Sequence, residues 1–134
     1  MKLNSTLKIY IKERKRLAMG YYTKYEIAMY PQQNKKNELE IMREIAAKIH
    51  NCSPEEISDS EAEWCLSDHM KWYSHEADMF AVSKMYPEIT FVLEGEGEEH
   101  EDMWVKYFNN GDFEACYAEI TYPQPKNEKF QYMM

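Results

Sequence analysis

The sequence predicts an α+β domain: an antiparallel or mixed sheet of four to five strands with two main helices. Three observations carry this. Residues 89–122 hold three runs of apolar and polar alternation, the mark of strands with one buried face. Residues 34–50 and 74–86 place apolar side chains at helical spacing behind capping residues. The chain has 134 residues, 44% hydrophobic and 14% aromatic, which suits one domain with a real core rather than a disordered chain.

Residues 1–18 read as a basic N-terminal extension. Leu7, Ile9 and Ile11 alternate as in a strand, while Leu7, Tyr10 and Ile11 also fit a helical turn. The run Lys12-Glu13-Arg14-Lys15-Arg16 is a solvated arm or a contact for nucleic acid or an acidic partner. Tyr21 to Tyr30 is a tyrosine-rich strand ended by Pro31-Gln32-Gln33-Asn34. Asn34 or Asn37 then caps a helix through about His50, with Leu39, Met42, Ile45, Ala46 and Ile49 on the stripe facing the sheet.

Ser53-Pro54-Glu55-Glu56 is a second helix start, with a capping box and proline at the first helical position. Only a short piece is expected there, because Ser58-Asp59-Ser60-Glu61 breaks the apolar pattern. Residues 64–73 are expected to hold another strand with Trp72 inward. Ser74 is the N-cap of the next helix, and Glu76 and Asp78 sit where the helix dipole favours negative charge. Met79, Val82 and Tyr86, with Phe80 beside them, form its apolar face, and Pro87 stops it.

Three strands follow. In the first, Ile89, Phe91 and Leu93 alternate with Thr90, Val92 and Glu94. The second is Trp104 to Phe108. The third is Phe113 to Tyr122, joined to the second by the tight turn Asn109-Asn110-Gly111-Asp112, where Asn-Gly tolerates positive φ. Residues 124–134 form a C-terminal tail that is loose or docks through Phe130 and Tyr132.

The net charge of −8 is unevenly spread. Residues 1–50 carry eleven Lys and Arg against five Asp and Glu, and residues 51–134 carry five against nineteen. So acidic a C-terminal part repels phosphate, which confines direct nucleic-acid contact to Lys12, Arg14, Lys15 and Arg16. It suits a basic protein surface instead. No apolar run approaches a membrane span and no signal peptide is visible, so a soluble cytosolic protein is expected. Cys52, Cys65 and Cys116 are an odd number without metal spacing and read as reduced, buried or half-buried thiols.

The densest candidate site is Glu94, Glu96, Glu98, Glu99, Glu101 and Asp102, with Trp104 as an aromatic anchor. It lacks the residue order of a calcium loop. Three readings stand: a calcium or magnesium site of oxygen ligands, a hairpin whose glycines permit a bulge or tight turn, with solvated carboxylates, or an acidic face that fills a basic groove in place of phosphates. His75-Glu76 has Met79 where a zinc helix needs its second histidine. His69, His75 and His100 have no ligand spacing and are expected to face solvent. Tyr21, Tyr22, Tyr25, Tyr107 and Tyr117 lack the glycine and basic neighbours of an RNA-stacking sheet. No phosphate loop, nucleophile elbow or paired catalytic carboxylates occur, so no enzyme, cofactor or metal is expected. A second reading is a small-molecule or nucleotide pocket built from Lys12 to Arg16, Lys24 and Arg43. A third is an enzyme using His75 and nearby carboxylates.

A family resemblance adds to this. Lys71-Trp72-Tyr73, His75-Glu76, Asp78-Met79, Tyr86-Pro87, Phe91, Gly95-Glu96-Gly97-Glu98-Glu99, Asp102, Trp104, Tyr107-Phe108 and Gly111, preceded by Met19-Gly20-Tyr21-Tyr22-Thr23-Lys24-Tyr25, resemble small proteins of phages and mobile elements. That group is similar to the YubB-type ferredoxin-like domain. The resemblance covers about residues 19–123 and implies a split β-α-β sheet with helices on one face. It brings no catalytic residue. It implies a bacterial host cytoplasm and a non-enzymatic anti-defence inhibitor, an anti-CRISPR protein being one form. The partner would be a host nuclease or nucleic-acid-binding subunit with a basic surface.

Overall fold

The computed structural model describes residues 21–66 and 69–132. The arm with Lys12, Arg14, Lys15 and Arg16 lies outside the described residues. The elements are β1 (Thr23–Tyr30), α1 (Lys35–His50), a 3-10 turn (Pro54–Glu56), α2 (Asp59–Glu63), β2 (His69–Met70), α3 (His75–Met85), β3 (Thr90–Gly97), β4 (Met103–Asn109), β5 (Asp112–Tyr117) and α4 (Glu128–Gln131). The strands form one sheet in the order β2-β1-β3-β4-β5, and every neighbouring pair is antiparallel. β2 and β3 therefore run parallel to each other, with β1 between them and α3 joining them.

Alternation decides which side chains enter the core. Tyr25 and Met29 of β1, Phe91 and Leu93 of β3, and Trp104 and Phe108 of β4 are buried on one face. They form one cluster with Ile41, Met42, Ile45 and Ala46 of α1 and Met79 and Val82 of α3. Each fully buried Phe or Leu contributes about 2 kcal/mol. The opposite face is bare, with Glu26, Glu94, Glu96, Met103, Tyr107, Glu114 and Cys116 exposed. The helices do not reach β5, so Phe113 remains 45% exposed although it shares the parity of the buried residues.

The caps explain where the helices begin and end. Asn34 Oδ1 accepts the Asn37 N–H at 2.8 Å, and Asn51 ends α1 in the left-handed region at φ 53°. Glu56 accepts the Ser53 N–H at 3.1 Å. Ser58 and Glu61, expected to break the pattern, form a second capping box that starts α2: the Glu61 N–H donates to Ser58 Oγ at 3.1 Å. Ser74 holds the N-cap position of α3, yet its hydroxyl donates to Asp78 Oδ2 at 2.9 Å rather than accepting from the helix backbone.

Two strands differ from expectation. β3 runs through Gly95 to Gly97, so the glycines are not the turn; that lies at residues 98–101, and the Gly97 N–H closes it on Asp102 O at 2.8 Å. A Cβ on Gly95 would collide with the Trp104 indole across the ladder, and one on Gly97 with Asp102 and the Tyr21 hydroxyl. The glycines provide clearance on the buried face. β5 ends at Tyr117, not Tyr122: Ala118 N–H bonds Met103 O, the first residue of β4, and beyond that β4 offers no partner. The turn before β5 is as expected, with Asn110 at φ 45° and Gly111 at φ 84°. Gly111 N–H donates to Ser83 Oγ at 3.0 Å, fastening the turn to α3.

Candidate functional site

The outer sheet face and the turn beside it expose four of the six residues of the acidic run. β3 places Glu94 and Glu96 outward, and across the ladder Glu96 faces Lys24 while Glu94 faces Glu26. Lys24 Nζ lies 3.9 Å from Glu26 Oε1 along the same strand. A shallow concavity of about 410 Å³ opens here, with Glu26, Glu94 and Glu96 on one side and Met103, Val105 and Ala118 on the other. Glu98 and Glu101 extend the exposed carboxylates into the adjoining turn, and Glu98 Oε1 accepts the Tyr22 N–H at 3.2 Å.

The other expected site residues are elsewhere. Glu99 is half-buried, and its N–H donates to Tyr21 Oη at 2.6 Å. Asp102 is 4% exposed and hydrogen-bonds the Tyr21 hydroxyl. Burial, opposed by the Glu99 N–H and reinforced by the Asp102 carboxylate, pushes the Tyr21 phenol up to about 12. Trp104 is 3% exposed. Its register opposite Gly95 sends the indole into the core, so it is a packing residue and not the anchor expected from the sequence.

A second cluster lies beneath α3, around His75 and Glu76, with Lys106 as a member the sequence reading did not name. His75, expected at the surface, is buried. Its Nδ1 is 2.9 Å from Trp72 O, and a carbonyl only accepts, so Nδ1 carries the proton and Nε2 is the acceptor. Lys106 Nζ donates to that Nε2 at 2.7 Å and to Glu76 Oε1 at 2.6 Å, and lies 4.2 Å from the centroid of the Trp104 ring. His75 stacks on Trp104 with ring centroids 4.9 Å apart. The Tyr25 hydroxyl donates to the same Trp72 carbonyl at 3.0 Å.

Lys106 is 1% exposed, so this ammonium is held by a carboxylate, an imidazole and an aromatic face together. The arrangement pins the start of α3 to β4, with His75 and Lys106 buried and Glu76 at the surface. The signal in the sequence was the position of Lys106 between Trp104 and Phe108 on the inward parity of β4.

Of the expected nucleotide pocket, Lys12 to Arg16 lie outside the described residues, and Lys24 and Arg43 are not brought together. Lys24 points from the outer sheet face, whereas Arg43 of α1 donates to Ile57 O at 3.2 Å and pairs with Asp59 in the helical layer. Tyr21 and Tyr25 are buried and Tyr22 and Tyr107 exposed, so the tyrosines make no shared platform. Among the described residues no group of three or more His, Cys, Asp or Glu is placed to hold a metal ion, and no helix is long and apolar enough to cross a membrane. Cys116 is exposed on the bare face. Burial pushes the Cys65 thiol up to about 11 and, with Glu56 beside it, raises Cys52 as well.

Fold and site together define an α+β domain with one core-forming and one bare, acidic sheet face. No family model, no curated protein and no solved structure matches the chain.

Proposed function

We propose that this chain is a non-enzymatic binding protein whose bare sheet face occupies a basic surface of a nucleic-acid-handling partner. The carrying observation is the outward set Glu94, Glu96, Glu98 and Glu101, with Glu26 directly opposite Glu94. Like charges facing each other across a ladder cost stability, and a cationic partner turns that cost into binding energy. Met103 and Val105 add apolar contact beside the carboxylates. Asp102 and Trp104, being buried, are not part of this surface.

The resemblance to phage and mobile-element proteins extends the reading. The partner is then a basic nuclease or nucleic-acid-binding subunit of a host defence system, blocked in the bacterial cytoplasm by an anti-defence protein, an anti-CRISPR protein being one form. The fold belongs to the same proposal: β2, α3 and β3, with β1 between the strands, support a ferredoxin-like relationship. A nucleotide ligand fits less well, because three carboxylates line the concavity against one cation, Lys24.

The test is a pull-down from bacterial host extract with tagged protein, eluted by salt. The expected eluate is a basic nucleic-acid-binding protein, released as ions screen the contact. The variant Glu94→Lys/Glu96→Lys/Glu98→Lys should lose it. Undiminished capture by that variant rejects the acidic face as the binding surface.

A further inference from the structure

β1 has eight residues, but β2 pairs with it only at Thr23 and Lys24. The bonding parity of the sheet shows what this leaves open. In an antiparallel ladder, alternate residues direct their main-chain groups to alternate neighbours. Gly97 N–H bonds Asp102 O, so the odd-numbered residues of β3 bond β4 and the even-numbered ones bond β1. On β1 the partners of those even residues are Lys24, Glu26, Ala28 and Tyr30. Ile27 and Met29 therefore direct their N–H and C=O groups away from β3, past the end of β2. Among the described residues no hydrogen bond reaches them. An unpaired strand edge of this kind is a template for another strand.

A cavity of about 390 Å³ runs along this edge between β1 and the helical layer. Ile27, Leu39, Met42 and Leu66 form its apolar wall, while Glu26, Glu38 and Glu63 stand at the rim. The one cation at that rim, among the described residues, is Lys35, already bonded to Glu63 at 3.2 Å.

We propose that the open edge of β1 receives an extended peptide strand from a partner protein, carrying a bulky apolar residue next to Lys or Arg. Side chains alternate along a strand. The residue opposite Ile27 points to the inner side, into the apolar cavity. Its neighbour, opposite Glu26, points to the outer side and meets that carboxylate. Main-chain bonds to Ile27 and Met29 supply the pairing, and the cavity and acidic rim supply the selectivity. This edge shares Glu26 with the acidic sheet face, but its main-chain groups at Ile27 and Met29 and its cavity wall at Leu39 lie off that face, so the amide protection and Leu39→Glu test it separately.

The experiment pans a random heptapeptide display library on the full chain, then follows amide hydrogen exchange with an enriched peptide bound. The expected peptides carry a bulky apolar residue beside Lys or Arg. They should slow exchange at the Ile27 and Met29 amides by about tenfold or more, from rapid exchange in the free chain. Leu39→Glu, at a half-buried cavity wall, should weaken binding by about tenfold. Glu26→Lys, on an exposed surface that tolerates the change, should abolish the preference for the basic residue. The proposal is overturned if no peptide enriches, if protection appears elsewhere, including the carboxylate face, or if Ile27 and Met29 are already protected in the free chain.

Discussion

On the inner face of the sheet, Lys106 has Glu76, His75 and the Trp104 ring around its ammonium; on the outer face, one strand away, Glu94 lies opposite another carboxylate, Glu26. The buried charge is fully partnered because desolvation leaves no alternative. The exposed carboxylates face each other because water screens them. Complete satisfaction thus marks the group that holds the fold, and residual repulsion marks the surface proposed above to meet a partner. Five measurements can break or sharpen this contrast.

The largest effect is expected from Lys106→Ala, which strands His75 and leaves a void beside Trp104. It should cost about 3 kcal/mol in urea unfolding, the low end for a broken buried pair because Glu76 is half exposed. Lys106→Met, which keeps the apolar stem, should cost less. Equal losses would mean that the apolar stem contributes nothing, and an unaffected Lys106→Met variant that the charge contributes nothing.

Gly95→Ala comes next, forcing the Trp104 indole out of its place. A loss of about 1–3 kcal/mol is expected, with a change in tryptophan fluorescence. An unaffected variant would return the glycines to the role of turn formers.

Glu26→Lys should act in the opposite direction. Removing the carboxylate opposite Glu94 should raise stability by about 0.5 kcal/mol while weakening any basic partner. A loss of stability would show that the outer carboxylates serve the fold.

The smallest effects concern titration and reactivity. Tyr21 is raised from 10.0 to about 12, so the fold favours its neutral form. Its contribution is full below pH 10 and lost as pH rises from 10 through 12. Tyr21→Phe should flatten that limb of the stability profile. In alkylation followed by mass spectrometry, exposed Cys116 should be modified before Cys65, whose thiol is held near 11 by burial.

Much of this was legible locally. The period-two runs at Ile89–Leu93 and Trp104–Phe108, the stripe of α1 and the Asn110-Gly111 turn all express short-range rules. The site was legible in part. Glu94, Glu96, Glu98 and Glu101 are exposed as their composition suggests, whereas Asp102 and Trp104 carry the same local signal and are buried. Their place depends on Gly97 and Gly95 across the ladder, which no window of neighbouring residues contains. His75 escaped for the same reason, because its partner Lys106 is remote in sequence.

By itself the sequence determined the α+β class, the start at Ser53, a first helix start at Asn34 or Asn37, the place but not the bonding of the Ser74 cap, the hairpin turn before β5 and the acidity of the C-terminal part, since backbone preference, capping and charge act over a few residues. Tertiary structure alone decided the strand order, the inward parity that buries Trp104 and Lys106, the use of Gly95 and Gly97 as clearance, and the pairing of β2 with β1 at Thr23 and Lys24 alone among the described residues. Each of these is set by which strand lies alongside which, and that choice follows from burying one common face of the sheet in the core.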